Sequence, residues 1–506
     1  MDEINEQSWT PLIIIALAAF IIALDATFMN VSISRVVVDL NTDVSTIQAM
    51  MSFYTLITAA FMLLSAKLQD IVGKKKLFLI GTALYGLGTF TAAISPSTTI
   101  LFLGWSVIEG IAGALMLPAT ISLVSGTYTG EQRTFALAIA GVMGAIACAI
   151  GPLFGGVMTT FLSWRYGFGC ELLVVFIILI FRNKIPDFEP TESRSDLDIV
   201  GAIISFIGLI LLVQGILSLT KDFNSSIGII IVGIIALVVF VYYETRRKRN
   251  GQVPLLDMGL FKIRNLRVGS LVLFMSYLAM GGALFAVSLF LQSVLQLNAF
   301  ETGLTTLPLT IGLLIFAIIA PNLTGKLNHK TIMAIGCIVA IAGCLMLSYQ
   351  FRLNADIFTL MPGLFVLGAG LGLIMALCTD LSLANVPAES QNNASGINST
   401  SQSLGESMGT AFIGVILILG VISGVGVAVD TYAPEHSGDP QFQQEVLNYF
   451  QKVGNIEDIQ DNKLVVDVVD TIVQNAMAFV MQVTAVLMAV VFILILRLEK
   501  VNIKKQ

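Results

Sequence analysis

The sequence predicts an all-α integral membrane protein of fourteen spans, and three observations carry the prediction. Only 12% of its 506 residues are charged while 56% are hydrophobic, with a mean hydropathy of +0.88; an average soluble chain is roughly a quarter charged. Apolar runs of about 20 residues, enough to cross a hydrocarbon core of about 30 Å, recur from one end to the other. Lysine and arginine divide unevenly between the two sets of alternate connections, 21 against 6, and the richer set is the one retained in the cytoplasm. Both termini are therefore expected to be cytoplasmic, which independently asks for an even number of spans.

The spans are expected at 11–33, 47–67, 77–95, 100–125, 134–160, 164–182, 199–220, 226–244, 266–292, 302–322, 331–350, 356–384, 399–429 and 471–496. The first is too long for a signal peptide and has no small-residue cleavage site behind it, so it is expected to be retained. Halfway along it stands Asp25. A carboxylate near the bilayer centre costs at least a few kcal/mol and normally faces a water-filled cavity or a partner. Further acids follow at similar depth: Glu109 in span four, Glu171 in span six, Asp380 in span twelve and Glu406 in span thirteen. Glu406 is expected about two turns from the cytoplasmic end of its span. The lysines and arginines that fall within the spans, Lys67, Arg165, Arg182 and Arg267, stand at span ends, so almost no cation is available to pair with these acids.

Two connections are long. Asn183 to Asp198 is polar with two prolines and reads as a hinge after a six-helix bundle. The outer connection 430–470 holds nine acidic residues against Lys452 and Lys463. Within it Phe442, Val446, Leu447, Phe450 and Val453 recur at helical spacing, as do Leu464, Val465, Val468, Val469 and Ile472. These are expected to be short amphipathic helices on the outer face, serving either as a cover for the helix ends or in substrate uptake.

The chain offers little to an enzyme. Its five cysteines, Cys148, Cys170, Cys337, Cys344 and Cys378, sit inside apolar runs, and its two histidines, His329 and His436, lie far apart in loops. That excludes a catalytic residue set, a disulfide framework and a zinc site as first readings. No phosphate-binding glycine loop is present, so the expected driving force is an ion gradient rather than ATP. No cofactor, metal or nucleic-acid partner is expected; the oligomeric state is open.

Several local patterns resemble the major facilitator superfamily, and within it the fourteen-helix drug:proton antiporter branch. Leu24-Asp25-Ala26-Thr27-Phe28-Met29-Asn30-Val31 resembles that branch's first-helix signature. Between spans two and three, Asp70, Gly73 and Lys74 to Lys76 resemble the superfamily's cytoplasmic loop, with Ser65 where the first glycine is usual. An acid, a glycine turn and a basic cluster can lock one access state, or anchor the positive side. Span five, Gly151-Pro152-Leu153-Phe154-Gly155-Gly156 followed by Ser163-Trp164-Arg165, resembles the antiporter motif. Glycines allow close helix approach and Pro152 allows a bend, which suits a rocking interface. The resemblance extends through Asp198 to Gly201, Pro254 to Asn265, Phe290 to Gln292, Gly303 with Pro308, and Ala394 to Gly409.

The resemblance implies a major facilitator fold: two six-helix bundles of inverted repeats around a central cavity, with two extra transmembrane helices between them. The divisions are 1–182, 183–265 and 266–506. It also implies that spans one, four, nine and twelve line the cavity, which would place Asp25, Glu109 and Asp380 there. Two departures stand out. Ser106 occupies the branch's usual span-four Arg and Glu109 its Gln, and Glu171-Leu172-Leu173 replaces an Asn-x-Pro.

Acids without internal cations are candidates to exchange protons as the cavity opens to either side. The proton-coupling candidates are Asp25, Glu109, Asp380, Glu171 and Glu406. Asn30, Ser106, Met275, Tyr277 and Gln292 are candidates for cavity contacts or for packing. The conformational candidates are Asp70, Gly73, Lys74, Gly151, Pro152, Gly155 and Gly156. The function expected is export of small amphipathic or cationic compounds across the cytoplasmic membrane in exchange for protons. An exporter or flippase of one lipid-like or metabolic substrate is the alternative within transport, and a non-transporting receptor the alternative outside it.

Overall fold

A computed structural model describes residues 8–499 apart from 129, 191–197, 220–221, 325–326, 388–389, 444–445 and 447–462. A helix stands at each of the fourteen expected positions, and among the described residues twelve are long and apolar enough to cross a membrane. The fifth and sixth positions fall short of that measure. The fifth offers one apolar piece at Ile146–Leu162, and the sixth is a helix of 17 residues. No β-strand occurs among the described residues.

Helix α1 (Thr10–Phe28) carries Pro11 in its first turn, where the missing N–H costs nothing. It tightens into a 3₁₀ turn at Met29–Val31 and continues as α2 (Ile33–Asp39). Asp43 caps α3 (Val44–Val72) by accepting from the Thr46 backbone N–H at 2.8 Å. Gly73, at φ +99°, then turns the chain directly into α4 (Lys74–Ala93). The fourth crossing is irregular: a short α5 (Thr98–Leu101), widened π-helical turns over Phe102–Glu109, then α6 (Gly110–Thr127). The fifth and sixth are α7 (Gly130–Val157) and α8 (Trp164–Ile180), followed by the additional pair α9 (Ile199–Ser218) and α10 (Phe223–Arg249). The remaining helices are α11 (Arg264–Ser293), α12 (Ala299–Leu323), α13 (His329–Ser348), α14 (Ile357–Leu383), α15 (Gln391–Tyr432) and α16 (Lys463–Leu496).

Helices α1 and α3 to α8 pack on one another, as do α11 to α16, and the two groups meet along α3 against α15 and α7 against α12. Helix α9 pairs with α10 and lies against both α3 and α15. Its Val213 and Ile216 pack with Leu56, Ala411 and Val415, while Val232, Ile235 and Val238 of α10 are exposed, as befits a lipid-facing helix.

Contacts between the groups run from mid-helix to the end away from the chain termini. Gln48 donates to the Thr410 carbonyl at 2.7 Å, Ser407 to the Ser52 carbonyl at 2.6 Å, and Gln292 to the Asn30 carbonyl at 2.9 Å. There too a Cβ on Gly156 would lie 2.6 Å from the Ala299 carbonyl oxygen, and one on Gly303 would overlap that of Pro152. The α7–α12 seam is backbone against backbone at this end of the molecule.

Helix α15 begins at Gln391, eight residues ahead of the expected 399. Its first turns are rich in Asn, Ser and Gly and read as a polar connection, yet Ala394 and Ile397 bury against Leu260 and Leu266 and draw them into the helix. Of the first outer amphipathic segment, Phe442 and Val446 pack on Val425, Val429 and Ile472, covering the ends of α15 and α16. Leu447, Phe450 and Val453 lie outside the described residues.

Candidate functional site

Between the two groups lies a cavity of about 650 Å³, lined from α1, α3, the irregular fourth crossing and α7 on one side and from α11, α12, α14 and α15 on the other. Its walls are mostly aliphatic, with Thr27, Asn30, Thr55, Thr58, Thr310 and Thr410 among the polar positions and Tyr54, Trp105 and Tyr277 supplying rings. The hydroxyls are largely spent on their own helices: Thr27 donates to the Leu24 carbonyl at 3.1 Å and Thr58 to that of Tyr54 at 2.9 Å. Such a surface is polar enough to hold water and makes few directional demands on a guest. Asn30 differs, because its Oδ1 is buried with no hydrogen-bond partner. Glu406 is the one charged side chain lining the cavity among the described residues.

A second group of acids stands behind the α1, α3 and fourth-crossing wall. Asp25, Glu109 and Glu171 are fully buried, and each brings a carboxylate oxygen within 4.8 Å of the other two. They come from α1, the last of the π-helical turns and α8. Trp105 donates its indole N–H to both oxygens of Asp25, at 3.0 and 3.1 Å. Tyr54 stacks on Trp105, ring centroids 5.9 Å apart at 22°. Since both rings also line the cavity, they form the partition between it and the three acids. Tyr85 donates to Glu171 at 3.3 Å, while both oxygens of Glu109 and Oε1 of Glu171 have no hydrogen-bond partner. Trp105 and Glu109, four residues apart, fall on one side of the fourth crossing and face Asp25 together.

The candidates expected from the sequence separate accordingly. Asn30, Tyr277 and Glu406 line the cavity. Asp25 and Glu109 do not line it, contrary to expectation, because the Trp105 and Tyr54 rings intervene. Asp380 joins neither group: its side chain is 63% exposed near the end of α14 and lies 3.4 Å from Nε2 of His329. His329, expected in a loop, is the first residue of α13. Glu406 lies about four turns into α15 rather than two, because that helix starts earlier. Ser106 is buried and donates to the Met50 carbonyl at 2.9 Å, tying the fourth crossing to α3. Gln292 is likewise structural, accepting from the Ser34 N–H at 3.0 Å while donating to Asn30. Met275 packs in the core of the second group.

Among the conformational candidates, Gly151 and Gly155 press on Thr27 and Phe28 of α1, while Pro152 and Gly156 meet α12. One motif thus seats α7 on both groups. Lys74 places its Nζ 5.4 Å from the ring centre of Phe188, in the connection between α8 and α9. The Asp70 side chain lies outside the described residues.

Four functional positions went unread in the sequence: Trp105, Tyr54 and Tyr85 as partners of the buried acids, and Asp39 as partner of the Trp164-Arg165 pair. Asp39 accepts from the Trp164 indole at 3.0 Å, with Arg165 3.6 Å and Arg35 3.2 Å away. Trp105 had a signal, an aromatic one turn ahead of a buried acid. The tyrosines had none, since a ring in an apolar run reads as packing.

Comparison with known proteins fits this architecture. The sequence profile of the Major Facilitator Superfamily matches residues 15–410. Similar proteins include the multidrug efflux pump LfrA of Mycolicibacterium smegmatis, 28% identical over 435 residues and 85% of each chain. The multidrug transporter protein MdtP of Bacillus subtilis is 27% identical over 82% of this chain and 77% of its own. The puromycin resistance protein pur8 of Streptomyces alboniger is 25% identical over 81% and 82%. Among solved structures, a D-xylose-proton symporter shares the fold, with a TM-score of 0.57 at 13% identity over 79% of this chain and 88% of that one. A helical membrane protein with two packed groups around a central cavity, matched by that profile over most of its length, is a transporter rather than an enzyme, and this chain belongs to the major facilitator superfamily.

Proposed function

We propose that the protein exports small amphipathic compounds, preferring cations, from the cytoplasm in exchange for protons moving inward. The observation that carries this reading is the cavity between the two helix groups, apolar over most of its wall and provided, among the described residues, with a single charged side chain, Glu406. A lone carboxyl can hold either a proton or the charge of a bound cation. Competition for that one group is a sufficient coupling scheme: a proton arriving from outside releases the cation, and loss of the proton inside readies the site for the next. Asn30 Oδ1, buried and unpartnered, adds an acceptor for a substrate N–H or O–H.

The excess of Lys and Arg in connections on the terminus-bearing face supports placing that face in the cytoplasm. The seal between α7 and α12 at the other end then corresponds to a cavity closed to the outside. Transport would proceed by rocking the two groups about this seam, with α7 moving as the shared strut. The similarity to a multidrug efflux pump and a multidrug transporter protein supports an exporter of varied substrates.

Reconstitution tests the reading. Proteoliposomes are loaded with cationic, neutral and anionic amphiphiles, a pH gradient is imposed, and wild type is compared with Glu406→Gln. The gradient is expected to drive cations in the wild type and not in the variant. Transport indifferent to both the gradient and Glu406 would defeat the proton-coupled reading, leaving a facilitator or flippase.

A further inference from the structure

The geometry points to a second, separate site: Asp25, Glu109 and Glu171 hold a hard divalent cation of about calcium size, behind the partition formed by Trp105 and Tyr54. The three carboxylates come from three different helical segments, are fully buried, and bring oxygens within 4.8 Å of one another. Oxygens that share one ion bound at about 2.4 Å stand no further apart than that.

What the protein supplies to these acids is too little for them alone. Trp105 serves Asp25 and Tyr85 serves one oxygen of Glu171; the other oxygen of Glu171 and both of Glu109 have no hydrogen-bond partner. Buried acceptors are almost always partnered, by protein, water or ion. Beyond the acids, the Tyr54 hydroxyl lies beside Asp25 and the Thr89 hydroxyl beside Glu109, both buried and neither in a well-formed hydrogen bond. They are two further oxygens, each beside one of the three carboxylates. Among the described residues no histidine or cysteine belongs to the group.

The donor chemistry selects the ion. An all-oxygen set of carboxylates and hydroxyls suits calcium, magnesium or manganese and offers nothing to zinc or copper. Three carboxylates facing one another in a low-dielectric interior need compensation, and a divalent ion leaves a single net negative charge, which the indole N–H and the Tyr85 hydroxyl face. The ligand set favours calcium, which accepts many protein oxygens in a flexible arrangement, over magnesium, which demands a near-ideal octahedron at about 2.0–2.1 Å and keeps its waters. This site is independent of the export reading, which rests on Glu406 across the partition.

Terbium provides the test, since it replaces calcium and emits when a neighbouring indole is excited. Purified full-length protein, stripped with a chelator, is titrated with terbium under tryptophan excitation. The expected result is a saturable emission that calcium displaces, lost in Trp105→Phe, and weakened at least tenfold in binding by Glu109→Gln and by Glu171→Gln. Calcium is also expected to raise the melting temperature of the wild type and not that of the two amide variants. Should those variants fail to fold, the Trp105→Phe comparison decides: undiminished emission places the ion elsewhere and overturns the proposal. It is equally overturned if the wild type shows neither saturable emission nor a calcium-dependent melting shift at millimolar ion, or if the amide variants bind as the wild type does.

Discussion

Trp105 donates one N–H to both carboxylate oxygens of Asp25, at 3.0 and 3.1 Å, and in doing so closes the wall between the cavity and the buried acids. Replacing the indole by phenyl removes the donor and leaves a buried acceptor short of a partner, at a cost of about 1–3 kcal/mol. Trp105→Phe is therefore expected to melt below the wild type in detergent, whereas Asp25→Asn, which keeps a carbonyl acceptor for the indole, should melt close to it. A Trp105→Phe protein as stable as the wild type would show that the hydrogen bond does not hold the wall.

The cavity's single charge makes a sharper functional prediction. Glu406→Gln keeps the shape and removes the exchangeable proton, so accumulation driven by a pH gradient should fall at least tenfold. Flow of a neutral amphiphile down its own gradient should persist. Parallel flux assays in proteoliposomes check both, and equal loss of the two would assign Glu406 to folding or to the path itself.

Closure of the α7–α12 seam depends on two glycines whose neighbours are backbone, which cannot step aside. Gly303→Val puts a branched side chain against the Pro152 carbonyl and should hold that end ajar. Cys148, which lines the cavity, reports the change. With the other four cysteines replaced, a membrane-impermeant maleimide applied to the face opposite the termini should label Cys148 several-fold faster in the variant. Unchanged labelling would mean that the seam can accommodate the extra atoms.

Arg165 gathers three contacts at that end. It donates to the Ser95 carbonyl at 2.9 Å, lies 3.6 Å from Asp39, and stacks 4.2 Å over the Trp164 ring. Lysine keeps the charge but not the flat fork that makes these contacts together. Arg165→Lys is expected to lose about 1 kcal/mol, and Arg165→Ala little more, since the stacking and the directed hydrogen bond are gone in both. Thermal melts of the pair check this, and full rescue by lysine would reduce the site to a simple ion pair.

The helices were legible because each apolar run states its own length, and the buried acids were legible because so few charges interrupt those runs. What the runs do not state is rotation. Asp25, Glu109 and Glu171 were all singled out, yet their meeting depends on which way three helices face, and no residue pattern announces that. Depth along a helix failed in two places. The Asn-, Ser- and Gly-rich start of α15 is held helical by burial of Ala394 and Ile397, which moved Glu406 inward into the cavity. Asp380, inside an apolar run, belongs to the last turns of α14 and turns outward to His329. Ser106 and Gln292 read as cavity polar groups because a buried hydroxyl or amide looks the same in sequence whether it meets a guest or a neighbouring backbone carbonyl.

The placement of α9 gives the molecule a handedness in the plane of the bilayer. By lying across α3 and α15, the additional pair splints one of the two lateral seams between the halves and leaves the α7–α12 seam without such a cover. A hydrophobic compound already dissolved in lipid therefore meets two unlike flanks as it diffuses around the protein: one shuttered by two further helices, the other a single layer deep.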